Sequence, residues 1–264
     1  MSIRSIENLI DTVKKAGALA CQGQDRMTFA NRFVKADGSI VTEYDRKVED
    51  YLFTAISKLY PGVNILTEET ARDFDEERPY TFAVDPIDGT DVFSQGMPSW
   101  CLSVGLLDRE KIPVAGIIYA PRWKSLFFAD IGKAALHNGQ EIMPVDSAWL
   151  FDSRTNLMVT STIGRHVDVS KFPGKCRNVG SIALQLCFPL IYGAVAGTVT
   201  GKTFIWDIAA GHAINRSLGL TLEYLGGGEV TYEQMTDGSP STDYILSGTV
   251  QVIRQLRACL KRRL

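Results

Sequence analysis

The sequence predicts a mixed α and β fold, with helices and sheets stacked in layers in one unit of two lobes. Three observations predict it. Stretches with helical periodicity alternate with short apolar runs bounded by turn residues along the whole chain. No repeat, low-complexity segment or linker interrupts the 264 residues. Hydrophobic residues make up 45% of them, enough to fill one large core or two lobes sharing one. The lobes are expected at about 1–145, with most of the acidic motifs, and 146–264.

Each element has its own signal. Ile3, Ile6, Leu9, Ile10 and Val13 recur at helical spacing and open the chain with an amphipathic helix. Lys35-Ala36-Asp37-Gly38-Ser39 is turn chemistry. A second helix starts near Thr42 or Glu43, turns Val48, Leu52, Ile56 and Leu59 inward, and stops at Tyr60-Pro61-Gly62. Asn64-Ile65-Leu66-Thr67 is a short strand delivering Glu68 and Glu69, and the charged stretch from Ala71 to Pro79 is a loop. Phe82-Ala83-Val84, Cys101 to Leu106, Val114 to Tyr119 and Ser125 to Ala129 are strands of an antiparallel sheet, with a hairpin at Asn138-Gly139. In the second half, strands at Leu157 to Thr160, Tyr192 to Thr198, Leu220 to Leu222 and Tyr244 to Leu246 alternate with helices. These helices run from Gly180 to Cys187, from Trp206-Asp207 to near Gly219, and from about Val250.

Composition narrows the function. The net charge of -2 carries no basic excess for nucleic acid, and Lys261-Arg262-Arg263 reads as a solvated helix end complementing the dipole. The apolar stretch Ile182 to Val199 is broken by Gln185, Pro189, Gly193 and Gly197, so it reads as a buried helix and strand, not a membrane span. Five cysteines at wide spacings, without CxxC, give no disulfide framework or zinc site and point to a reducing cytoplasm. Ala18-Leu19-Ala20-Cys21 is no lipoprotein signal, because Asp11, Lys14 and Lys15 precede it.

The chemistry collects where carboxylates follow apolar segments or mark helix edges: Asp45, Glu68 with Glu69, Asp85 with Asp88, and Asp207. Singly, such acids usually cap helices. Brought together they repel, and one takes up a proton unless a cation compensates. Hard divalent ions prefer such oxygen donors. In Asp85-Pro86-Ile87-Asp88-Gly89-Thr90, Pro86 stiffens the backbone, so Asp85 and Asp88 can face one side with the Ile87 carbonyl between them. Gly89 permits close approach of a ligand, and a helix beginning at Gly89-Thr90 would offer free amides to a phosphate.

With these motifs in hand, the chain resembles the inositol monophosphatase family of magnesium-dependent, lithium-sensitive phosphatases. The resemblance spans nearly the whole chain: KADGSIVTEYD from Lys35 to Asp45, Glu68-Glu69, DPIDGT, Gly180-Ser181 and WDIAAG from Trp206 to Gly211. It implies the αβαβα sandwich of the sugar phosphatases, as a homodimer acting on a small phosphate ester. It further implies two or three magnesium ions. Glu68, Asp85 and the Ile87 carbonyl would hold one, Asp85, Asp88 and Asp207 a second, and Glu68 with waters a weaker third. Thr90, Glu68 and Asp45 would activate the attacking water. Gly89 and Thr90, with Gly180-Ser181, would face the phosphate and substrate.

Departures from the family pattern bear on the substrate. Inositol-preferring members carry a glutamate shortly before WD, whereas here no acid lies between Val195 and Asp207; Lys202 stands there and can meet a second anionic group. Asp91 replaces the lysine of 3′-phosphonucleotide phosphatases. KADGSIVTEYDR from Lys35 to Arg46 and the segment from Phe93 to Trp100 have some likeness to histidinol-phosphate phosphatases of the same family. Arg165-His166 read as a polar loop, His212 as a packed residue, and Gly226-Gly227-Gly228 as a turn. A non-catalytic metal or sugar-phosphate binding protein is the alternative from another class, and the retained Thr90 and Glu68 speak against it.

Overall fold

The computed structural model describes residues 3–28, 32–35, 38–144 and 150–263. The centre of the expected turn, at Ala36-Asp37, and the expected lobe boundary near 145 lie outside the described residues.

In chain order, the first half comprises α1 (Ile3–Asp25), β1 (Arg32–Val34), β2 (Ile40–Thr42), α2 (Glu43–Leu59), β3 (Asn64–Thr67), β4 (Thr81–Asp88), α3 (Thr90–Ser94), β5 (Cys101–Leu107), β6 (Pro113–Ala120), β7 (Ser125–Asp130), β8 (Leu136–His137) and β9 (Gln140–Glu141). The second half comprises β10 (Asn156–Val159), α4 (Ile163–His166), β11 (Val167–Asp168), β12 (Lys175–Arg177), α5 (Ile182–Ile191), β13 (Val195–Thr200), α6 (Ile205–Ser217), β14 (Thr221–Tyr224), β15 (Ile245–Gly248), α7 (Val250–Cys259) and β16 (Lys261–Arg262).

The elements stack as α, β, α, β, α. On the outside, α1 and α2 lie together on a seven-stranded sheet ordered β3-β4-β5-β6-β7-β8-β9, antiparallel except for the β3–β4 pair. Their apolar stripes meet it: Val13, Val48, Leu52 and Ile56 are fully buried with Phe82, Val84 and Trp100. A fully buried leucine or isoleucine contributes about 1.5–3 kcal/mol of transfer free energy. The middle layer is α5 and α6, enclosed between this sheet and a five-stranded one ordered β12-β10-β13-β15-β14. The last layer is α7, which buries Val252, Ile253 and Leu256 against the smaller sheet.

Close backbone approach fixes α6. A Cβ at Gly116 would sit 2.3 Å from the Ala210 carbonyl oxygen, and one at Gly105 would sit 2.7 Å from the Ala210 amide. Glycine at both positions lets the helix lie directly on β5 and β6. The Ile182-to-Val199 stretch is the expected buried helix and strand, and among the described residues no helix is long and apolar enough to cross a membrane.

Two features differ from expectation. The basic tail is no helix end: α7 stops at Cys259, and β16 pairs antiparallel with β11. Arg262 there meets Asp243, so local charge and a strand partner displace the helical reading. Arg32–Val34 and Ile40–Thr42, flanking the expected turn, form a small hairpin.

Candidate active site

The DPID motif is not a turn after a strand; β4 runs through it. Asp85 pairs with Ser103 and Asp88 with Cys101, so Pro86 and Ile87 bulge opposite Leu102 alone. Pro86 has no amide to give the ladder, so the bulge occurs where proline is tolerated. The Ile87 amide donates to Asp85 Oδ1 at 2.9 Å, and the Ile87 carbonyl oxygen lies 3.0 Å from Thr90 Oγ1. At the strand's end Gly89 adopts φ +95°, and α3 begins at Thr90. A Cβ at Gly89 would approach the Gly180 carbonyl oxygen to 3.1 Å, in a conformation side chains rarely take.

Three of the expected acids converge. Asp85, Asp88 and Asp207 are buried and can place carboxylate oxygens within 4.8 Å of one another. Separate elements hold them. Asp88 lies at the N-terminus of α5, accepting from Ser181 Oγ at 2.5 Å and from the amides of Ala183 at 2.6 Å and Ile182 at 3.2 Å. Asp207, in the first turn of α6, accepts from the Phe204 amide at 2.8 Å and from the Thr203 hydroxyl. Burial and mutual repulsion press on all three. Lost hydration pushes Asp88 up to about 6 against its hydrogen bonds. Lost hydration and then the Asp88 charge push Asp207 up to about 7. Asp85 is driven well above the usual range by burial, then by Glu68, Asp88 and Asp207. Buried hard oxygens held on rigid elements, each reluctant to ionise beside the others, fit a divalent cation.

Glu68 stands outside this trio, though its charge is felt by Asp85. Its Oε1 accepts from Lys35 Nζ at 2.9 Å, and the same ammonium reaches Glu69 Oε1 at 2.6 Å. Burial nevertheless raises the Glu68 carboxyl to about 8. The Glu69 amide donates to Glu49 Oε2 at 2.7 Å, which ties the Glu68-Glu69 turn to α2. Asp45 closes the capping box of α2: its Oδ2 accepts from the Thr42 amide at 2.7 Å and the Thr42 hydroxyl at 2.6 Å. Its Oδ1 accepts from Thr90 Oγ1 at 2.9 Å, and burial lifts its carboxyl to about 6.

The remaining candidates lie as follows. Ser181 directs its hydroxyl at Asp88, and Gly180 faces Gly89. Lys202 is exposed just beyond β13, with no ion pair among the described residues. Asp91 pairs with Arg32 at 3.3 Å, joining α3 to the β1–β2 hairpin. Arg165 and His166 lie on α4, not in a loop, and the His166 ring stacks on Tyr244. His212 is packed, and Gly226 to Gly228 make a turn anchored by the Gly226 amide on Asp243. Sequence reasoning missed Lys35, Glu49 and Thr203 as partners of the acids. Thr203 alone had a local signal, four residues before Asp207.

The raised carboxyls make the stability of the fold depend on pH. Their ordinary values are about 4. Between there and the folded values of about 6 to 8, the native state holds more protons than the unfolded chain. Stability from these groups is therefore present in full below about pH 4 and is lost as pH climbs towards about 8. Cation-free protein is expected to melt at progressively lower temperature from about pH 5 to 8, and a divalent cation is expected to reverse that loss most strongly at the alkaline end. A melting temperature rising over that window, or indifferent to cation at pH 8, contradicts the site.

Comparison with known proteins places the whole chain in one family. The model of the inositol monophosphatase family matches residues 4–256. Inositol monophosphatase 1 of Solanum lycopersicum is 31% identical, over 88% of this chain and 89% of its own. A fructose-1,6-bisphosphatase of Pyrococcus furiosus is 31% identical, over 70% of each chain. The extragenic suppressor protein SuhB of Bartonella henselae superposes with a TM-score of 0.80 at 25% identity, covering 97% of this chain and 98% of that one. The chain belongs to the inositol monophosphatase family of phosphatases.

Proposed function

We propose that the chain hydrolyses the phosphate monoester of a small sugar or polyol phosphate with magnesium. The observation that carries this is the buried trio Asp85, Asp88 and Asp207 beside Thr90. These acids, with Glu68 and the Ile87 carbonyl, would hold two or three ions. A carbonyl oxygen has a second lone pair, so the Thr90 contact leaves the Ile87 oxygen free to bind. Magnesium, when bound, acidifies a water and offsets charge on the phosphate oxygens.

The protein's own groups then position and move the proton. Thr90 has one hydroxyl proton and two acceptors in reach, Asp45 Oδ1 and the Ile87 carbonyl. Donating to Asp45 leaves its lone pairs free to accept from an attacking water. Asp45, lifted to about 6 by burial, is a base near the operating pH, and Glu68, raised to about 8 by burial, would accept a proton where a cation holds it ionised. The amides of Gly89 and Thr90 would receive the phosphate oxygens. Phosphoryl transfer asks chiefly for such placement and charge stabilisation.

A sugar phosphate with a second anionic group is favoured over an inositol monophosphate. No acid lies between Val195 and Asp207 to grip ring hydroxyls, and the exposed Lys202 stands there unpaired among the described residues. Phosphate release is to be measured, with and without magnesium, on fructose 1,6-bisphosphate, inositol phosphates, histidinol phosphate and 3′-phosphoadenosine phosphate. Magnesium-dependent turnover is expected to be highest for the sugar bisphosphate. Release from none of them despite measurable magnesium binding would favour the non-catalytic binding protein instead. The same reading makes the chain a cytoplasmic homodimer of two-lobed subunits, supported by the family resemblance and, for the compartment, by five free cysteines.

A further inference from the structure

A cavity of about 380 Å³ opens at the far half of α6. Its floor includes His212 and Tyr232, only 6% and 1% exposed, and its walls include Leu220 and Val230. His212 lies five residues beyond Asp207 on the same helix, about 7.5 Å further along its axis. Tyr232 Oη and His212 Nδ1 lie 2.9 Å apart, and among the described residues neither group has another hydrogen-bond partner.

The pairing fixes the tautomer. The buried Tyr232 hydroxyl has only this nitrogen to receive its proton, so Nδ1 accepts and the second ring nitrogen, Nε2, carries the hydrogen. Burial, and then the nearby Arg216 charge, push His212 down to about 3, so the ring is neutral. The cavity floor therefore offers a neutral N–H donor with no acceptor in the protein. At the edge Arg216 spends one donor on the Pro113 carbonyl and keeps the rest of its guanidinium, while Lys111 is engaged by Glu76. The exposed carboxylates of Glu110, Glu229 and Glu233 line the same cavity and have no ion pair among the described residues.

A simple anion would meet these carboxylates, and a simple amine would leave the His212 donor unsatisfied. From the unpartnered His212 Nε2–H, the Arg216 guanidinium and the facing carboxylates, we propose that this cavity binds a small zwitterion, a free α-amino acid with a short aliphatic side chain. The carboxylate sits on His212 and Arg216, the ammonium faces Glu229 and Glu233, and the side chain lies on Leu220 and Val230. The site is distinct from the acid cluster and does not rest on the phosphatase reading.

The test is an NMR titration of the full chain with L-valine, following the imidazole signals of its three histidines, His137, His166 and His212. Isobutyrate and isobutylamine share the isopropyl group and carry one charge each. L-valine is expected to shift the His212 signals saturably while His137 and His166 stay in place, and to bind at least about tenfold tighter than either control, as loss of a charge-assisted contact implies. Arg216→Gln and the double variant Glu229→Gln/Glu233→Gln, all at exposed positions, are each expected to weaken L-valine about tenfold or more. No shift at His212, equal binding of isobutyrate or isobutylamine, or unchanged affinity in both variants would overturn the proposal.

Discussion

Asp85→Asn is expected to lower turnover by at least about a thousandfold while leaving the protein folded. Asparagine has nearly the shape of aspartate, and its side-chain oxygen can still accept the Ile87 amide that now lies 2.9 Å from Asp85 Oδ1. The bulge in β4 is therefore preserved. What disappears is one negative charge at the centre of the trio, the group on which Glu68, Asp88 and Asp207 all act. A bound divalent ion supplies several kcal/mol of transition-state stabilisation, and each 1.36 kcal/mol is tenfold in rate. Asparagine cannot ionise and so escapes the cost that burial and the neighbouring acids place on a charged Asp85, and without cation the variant is expected to melt at or above the wild-type temperature. Added magnesium is expected to raise that temperature much less than in wild type. Phosphate release and melting with and without magnesium check both arms. Near-normal turnover, or an undiminished magnesium effect, would remove Asp85 from the cation site.

Local signals in the sequence foretold the elements that carry these groups, and long-range contacts decided what they touch. The α2 start was legible because Thr42 and Asp45 form a capping box three residues apart, and its buried stripe follows helical spacing. The bulge through Asp85–Asp88 was not legible, because register is set by β5, and nothing local says that two residues of one strand oppose one of another. The hold of Ser181 on Asp88 spans 93 positions, and that of Lys35 on Glu68 spans 33. Asp91, which the motif left unexplained, has its reason in Arg32 of a hairpin whose turn chemistry was visible but whose strands are only three residues long. Lys261-Arg262 was misread because a basic tail suits a helix end equally well, and only its pairing with β11 separates the two.

Thr90→Val is expected to cost turnover about a hundredfold to ten-thousandfold, the usual range for losing a proton-transfer group, while magnesium still stabilises the protein. Valine replaces the hydroxyl with a methyl of similar size, so Gly89 and α3 keep their shape. Two contacts vanish, to Asp45 Oδ1 and to the Ile87 carbonyl. Asp45 is buried and keeps only the donors of Thr42, so some stability is lost, about 1–3 kcal/mol for an unsatisfied buried acceptor. The hydrogen bond from Thr90 holds the Asp45 carboxyl down against burial. Its removal moves that group above about 6, so the acid limb of the residual activity is expected to shift to higher pH. Thr90→Ser separates a chemical from a structural role. Serine restores the hydroxyl without the methyl, and is expected to recover most of the turnover and the original acid limb. If Thr90→Val lost only stability, with turnover within a few-fold of wild type and an unmoved pH profile, the hydroxyl would be a strut between β4 and α2, and water activation would fall to Glu68 alone.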